Sequence, residues 1–233
     1  LKFYERQRYI EKSVFFITGR GEVFLPNVIL HSRKEKAKNP SKLSASAQFL
    51  LLYHLQKMSL DGLSVSEMAS QICGYSYVSI AKAVENIEAL GLCECRKDSD
   101  RSKRIRFIAG GRELWEKAKP YMTTPVKEVK YCDAVPSIGF QYSGVSALAS
   151  YTMISPDEVP TIAVYSGSFK ETDFNGLNDF DGNVKIEIWR YPEIDTKSDI
   201  VDRLSLFLSL EGDSDPRVDK ENKIMLEEVW QKM

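Results

Sequence analysis

The sequence predicts an α+β protein, and three observations predict it. Between Ser41 and Met122, apolar residues recur at helical spacing and are then interrupted by a pair of short, strongly basic alternating segments. From Thr123 onward, short β-branched and aromatic runs give way to two amphipathic stretches near the C-terminus. The chain of 233 residues, 43% of them apolar, has enough material for one or two cores. No apolar run approaches the length of a membrane span, and no charged–apolar–small leader pattern is visible after Leu1.

Residues 41–122 are read as follows. Phe49, Leu50, Tyr53 and Lys57 form an amphipathic stripe that ends before Asp61-Gly62. A second short helix spans Val65–Cys73, capped by Ser66 or the residue before it. Gly74 permits a tight turn, since it lacks a Cβ. The third helix, Ser76–Leu90, sets Ile80, Val84 and Ile87 on one face and Ser76, Tyr77, Ser79 and Lys82 on the other. After Gly91-Leu92 comes a strand at Cys93–Lys97, a turn at Asp98-Ser99-Asp100 and a returning strand at Lys103–Ile108, with Ile105 and Phe107 on one face. A return helix follows and stops at Pro120.

Three helices, a basic hairpin and a return helix are, in that order, the parts of a winged helix-turn-helix. A helix that packs on one face and offers polar donors near its N-terminus suits major-groove reading, which uses the first turns of the helix. The hairpin adds phosphate neutralisation. Six of the eleven residues from Arg96 to Arg106 are Arg or Lys. Lys97, Lys103 and Arg104 are expected to hold phosphate, and Arg101 at the tip to enter the narrow minor groove. A solvated charged hairpin is the plain alternative. Its place directly after a helix-turn-helix favours the nucleic-acid reading, because phosphate and base contacts are then supplied side by side.

Leu63–Pro120, with Ser64-Val-Ser-Glu-Met-Ala, Gly91-Leu92, Asp100-Arg101-Ser-Lys-Arg-Ile-Arg-Phe and Gly111-Arg-Glu-Leu-Trp, resembles the winged-helix domain of MarR-type bacterial transcription regulators. The resemblance implies sequence-specific binding of double-stranded DNA, with Ser76, Tyr77, Ser79 and Lys82 facing the groove. It makes Asp100 and Arg101 the wing-tip pair, the acid orienting the arginine. Two departures stand out: Ile108 occupies the place of the family's capping threonine, and the long flanking helices through which the family dimerises are not seen in the pattern.

The flanks divide by charge. Residues 1–40 carry a net +5, residues 41–122 +3 and residues 123–233 −9, which places phosphate on the first two segments. Residues 1–40 read as strands, Val14–Thr18 and Glu22–Leu30 around a Gly19-Arg-Gly21 turn, too few to stand alone. They are expected to join an acidic C-terminal α/β domain at 123–233, leaving the winged helix as an insertion. That domain reads as strands at Val126–Cys132, Thr161–Tyr165 and Val184–Tyr191 and a helix from Ser143 to Ile154. Two closing helices follow at Ser198–Leu210 and from Asp215-Pro216 to about Trp230. The basic-plus-acidic division argues for a DNA-binding module joined to a sensing, assembly or partner-binding module. Ser146-Ala-Leu and the strand at Val184–Tyr191 before Leu204–Leu210 are similar to the C-terminal domains of AbiE-type antitoxin regulators.

One constellation points instead towards catalysis. Gly167-Ser168, Asp179-Phe-Asp181 and Glu187 outline a nucleotidyltransferase, whose carboxylates hold divalent metal for in-line transfer. Only five residues separate Asp181 from Glu187, and Asp181-Gly182-Asn183 is a turn signal, so the expectation is no enzyme. Cys93-Glu-Cys95 with two histidines in the chain does not make a zinc set; alternate strand residues share a face, and a packed thiol pair explains the spacing. No cofactor and no metal are expected. The four cysteines suit a reducing cytoplasm. The sequence thus predicts a bacterial, cytoplasmic DNA-binding regulator whose acidic domain holds a protein partner or a second copy. A metal-dependent nucleotidyltransferase and an antitoxin-type interaction module are the runners-up.

Overall fold

The computed structural model describes residues 3–17, 23–24, 40–97, 103–195 and 197–232 and is of the α+β class. The chain divides into two compact units, residues 1–38 and residues 39–233.

In the first unit, α1 (Phe3–Glu11) precedes β1 (Phe16–Ile17) and β2 (Val23–Phe24). The strands pair antiparallel, Phe16 opposite Phe24 and Ile17 opposite Val23. The helix corrects the expectation that this segment is all strand. Tyr4–Glu11 holds no Gly or Pro and is rich in Glu, Arg and Gln, so intrinsic propensity carries it where the sparse apolar residues gave no period.

The second unit begins with α2 (Ala45–Gln56), α3 (Val65–Gln71) and α4 (Tyr77–Ala89). The hairpin β3 (Cys93–Lys97) and β4 (Lys103–Phe107) follows, then α5 (Gly111–Ala118) and a 3₁₀ turn at Lys119–Tyr121. Next come β5 (Val126–Cys132), β6 (Gln141–Tyr142), α6 (Gly144–Tyr151), β7 (Thr161–Tyr165), β8 (Val184–Trp189), α7 (Arg203–Leu210) and α8 (Pro216–Lys232). The four-stranded sheet runs in the order β5-β8-β7-β6; β7 and β8 are parallel, the outer pairs antiparallel. In the first unit β1 and β2 form a two-stranded sheet; most of the strand stretch expected to join the C-terminal domain, Glu22–Leu30, lies outside the described residues.

A boundary at 122 was expected, and the packing does not respect it. One apolar core runs from Leu43 and Leu50 through Ile80, Ile105 and Trp115 to Trp189, Phe207 and Val229. α2 is the reason. Ala47, Phe49, Leu50, Leu51, Leu52 and Leu55 are all buried, so this helix is covered on several sides instead of along one stripe. Gln48, also buried, accepts the Thr123 N–H at 2.9 Å through Oε1 and donates through Nε2 to the Thr123 carbonyl at 2.8 Å. A second cluster, with Cys132, Ile162, Val164, Val184, Ile186 and Ile188, fills the other face of the sheet under Phe169 and Phe174.

The closing helices differ from the sequence reading in one start. α8 begins at Pro216, as expected, and buries Val218, Met225 and Val229. α7 begins at Arg203 rather than near Ser198. Residues before it run beside β6, Tyr142 N–H donating to the Asp199 carbonyl at 2.7 Å and Val201 N–H to the Tyr142 carbonyl at 3.0 Å. Asp202 then caps the helix, accepting from Ser205 N–H at 2.8 Å and from Gln56 Nε2 at 2.6 Å. Burial pushes its carboxyl upward against those hydrogen bonds. No described helix is long and apolar enough to cross a membrane.

Candidate functional site

The site is assembled by α3, α4 and the β3–β4 hairpin. α3 starts at Val65 and is capped by Ser64, not by Ser66, through a reciprocal pair of bonds: Ser64 Oγ accepts from Glu67 N–H at 3.3 Å, and Glu67 Oε2 accepts from Ser64 N–H at 2.7 Å. The Ser64 backbone and hydroxyl, with Arg104 behind them, hold the Glu67 carboxyl below the usual carboxylate range. Just before the cap, residues 62–64 lie along β4. Gly62 N–H donates to the Ile105 carbonyl at 2.8 Å and Ile105 N–H to the Leu63 carbonyl at 3.0 Å. This covers an edge of the hairpin that would otherwise be open.

Gly74 sits at φ +88 in the turn between α3 and α4, a backbone setting that favours glycine, and the place of a Cβ there is 3.6 Å from Pro192 Cγ. Tyr75 then lays its ring 5.0 Å from that of Phe49. Ser76 caps α4: its Oγ accepts from Ser79 N–H at 3.2 Å and lies 3.0 Å from Ser79 Oγ. Ile80, Ala83, Val84 and Ile87 are buried. Of the four residues expected to face a ligand, Tyr77 (57% exposed) and Lys82 project outward, whereas the Ser76 and Ser79 hydroxyls are occupied with the cap and each other. Val78, 58% exposed beside Tyr77, went unnoticed in the sequence, where it reads as one more apolar residue.

In the hairpin, Cys93 pairs with Phe107, Cys95 with Ile105 and Lys97 with Lys103. Cys93 and Ile105 are buried, and Phe107 stacks 4.0 Å from the His54 ring. Burial pushes both hairpin thiols upward, so Cys93 and Cys95 remain protonated packing groups. The free side of β3 is partly closed by α4, whose Glu88 Oε1 accepts from Cys95 N–H at 3.1 Å. Arg96, Lys103 and Arg106 are exposed, Arg96 pairing with Glu94 at 2.9 Å. Arg104 is placed otherwise than the phosphate role expected of it. It is half-buried, and its Nη1 donates to Glu67 Oε2 at 2.9 Å and to the Gly62 carbonyl at 3.0 Å. Lys97 ends the first strand; Asp100 and Arg101, the expected tip pair, lie outside the described residues.

Between α3, α4 and the hairpin lies an open cleft of about 410 Å³, with Ser66, Tyr77, Glu85, Glu88, Cys95 and Lys103 on its walls. Its charge is mixed, because Glu85 and Glu88 stand opposite Lys103.

The residues of the nucleotidyltransferase outline are not brought together. Glu187 is 5% exposed on one face of the sheet, accepting from Ser143 Oγ at 2.6 Å and Trp189 Nε1 at 3.1 Å. Asp179 binds Lys130 Nζ at 2.8 Å, and Lys130 stands opposite Ile186, one residue out of phase with Glu187 and therefore on the other face. Ser143 stands at the N-cap position of α6 without a side-chain capping bond. Its hydroxyl is spent on Glu187.

No protein-family model, curated protein or solved structure matches the chain.

Proposed function

We propose that residues 41–122 form a winged helix-turn-helix of MarR-like type that binds double-stranded DNA, in a transcription regulator of bacterial, cytoplasmic kind. One observation carries the reading: the capped N-terminal turn of α4, with Tyr77 and Lys82 exposed, stands across an open cleft from the exposed Lys103 of an antiparallel hairpin. Base contacts would come from Tyr77 and Lys82, and phosphate contacts from Lys103, Arg96 and Arg106, which extends the expected set. The four cysteines are all free thiols, which fits a reducing compartment.

Selection of bound fragments from random duplex DNA, followed by titration at several salt concentrations, tests it. Tyr77→Ala or Lys82→Ala should cost about 1–3 kcal/mol on the selected site if they reach base edges. Absence of any salt-dependent duplex affinity sinks the proposal.

A second reading draws on a specific observation. Tyr77 and Val78 together expose a large apolar surface on α4, and Glu85 and Glu88 on the same cleft oppose phosphate. Those features suit a protein partner, in the manner of an antitoxin-type interaction module. Under that reading Val78→Asp abolishes partner capture, and the duplex titration stays flat.

A further inference from the structure

The acidic C-terminal region contains a groove that runs against its own charge. Where the start of α2 meets the sheet at the start of β5 and the ends of β7 and β8, an open groove of about 510 Å³ is lined by Leu43, Ala45, Thr123, Lys127, Ser166 and Arg190. Two walls are cationic, two carry hydroxyls, and none is a carboxylate. Lys127 and Arg190 are both exposed, and among the described residues neither has an ion-pair partner.

Backbone irregularity puts the lysine there. Val126 pairs with Trp189 and Glu128 with Ile188, so Lys127 is the extra residue of a β-bulge with no partner of its own. A bulge of this kind breaks the alternation of the strand and re-aims a side chain. Arg190 is fixed beside it, its N–H donating to the Pro125 carbonyl at 2.8 Å, and Ser166 N–H donates to the Trp189 carbonyl at 2.9 Å. The α2 wall is the first turn of that helix, which has no acidic residue.

We infer that this groove binds a phosphate-bearing anion, with Arg190 and Lys127 as its charged donors and the Thr123 and Ser166 hydroxyls as neutral ones. Arginine offers a planar fork that matches two phosphate oxygens, and lysine a point charge for a second group. The volume exceeds that of one phosphate and accommodates a diphosphate or a nucleoside diphosphate. The phosphate has two possible sources, a free phosphorylated molecule or the backbone of a duplex. The site stands apart from the DNA proposal, since a chain that binds no duplex can still hold pyrophosphate here.

The test uses the full chain. Pyrophosphate and then ADP are titrated at constant ionic strength, with chloride as the control, while the backbone amide shifts of Thr123, Ser166 and Arg190 are followed. Saturable shifts are expected, weakened about tenfold or more in Lys127→Ala and in Arg190→Ala, the loss of one charge-assisted contact each. Both side chains are exposed, so the variants keep the parent melting midpoint. Shifts that match chloride, or that saturate equally in the double variant, overturn the inference. Duplex titration of the same double variant then separates the sources. A lower salt slope assigns the groove to backbone phosphate, and an unchanged slope with pyrophosphate binding lost assigns it to a free ligand.

Discussion

Arg104 and Glu67 meet at 2.9 Å, and the carboxylate oxygen that receives the guanidinium is the one that receives the Ser64 N–H at 2.7 Å. A single atom therefore ties the hairpin to the cap of α3. Arg104→Ala should lower the melting midpoint measurably. The nearby Lys103→Ala should leave stability within about 0.5 kcal/mol of the parent while reducing the salt slope of duplex binding by about 1. An Arg104→Ala chain that melts with the parent but loses salt slope would return that arginine to the phosphate role its sequence position suggested.

His54 makes stability sensitive to mild acid. Its Nδ1 accepts the Leu60 N–H at 2.9 Å, which only the neutral ring can do, and burial holds its pKa below the ordinary value, with Asp61 pulling weakly the other way. A folded-state pKa below the unfolded one gives stability that is present above about pH 6.5 and is lost as pH falls through the lower folded value. Urea midpoints measured from pH 7.5 downward should drop through that window. His54→Asn, whose carbonyl oxygen replaces Nδ1 and does not titrate, should flatten the drop; an equally steep fall in that variant assigns the sensitivity elsewhere.

Ser76 separates capping from reading. Ser76→Ala should cost about 1 kcal/mol, the ordinary value of a lost N-cap. Ser76→Asp keeps the cap and should keep the stability, but it sets a negative charge where the proposed duplex lies and should weaken DNA binding while the fold holds. Equal DNA affinity in Ser76→Asp places the duplex away from this turn.

The junction at Gln48 predicts one melting event for residues 39–233. Gln48→Leu leaves the Thr123 N–H and C=O without their partner and takes a donor from the Tyr191 hydroxyl, 3.4 Å away, for a cost of about 1–3 kcal/mol. Calorimetry should show a single transition in the parent and a single, lower one in the variant. Two resolved transitions within residues 39–233 would restore the boundary at 122.

Much of this was readable from the chain because the signals were local. The buried face Ile80, Val84 and Ile87, the two hairpin strands at Cys93–Lys97 and Lys103–Phe107 and the strand Val184–Trp189 follow from spacing alone. What depends on tertiary partners was not readable. Arg104 counts as one basic residue among six until Glu67 is beside it, and Glu187 looks like a metal ligand until Ser143 and Trp189 close around it. α2 looks amphipathic because nothing in its sequence announces that the C-terminal half lies against it. α1 lacked the apolar period that would have marked it. Lys127 and Arg190 are 63 positions apart, and only the register of β5 on β8 makes them neighbours.

Pro192 rests against Gly74, at the very turn from which α4 departs, and Tyr191 just before it is buried between Phe49 and Ser205. The heading of α4 is therefore not the private property of the three helices around it. A displacement of the strand end at Trp189–Pro192 would be transmitted to the first residues that α4 presents to solvent, with one proline ring as the lever.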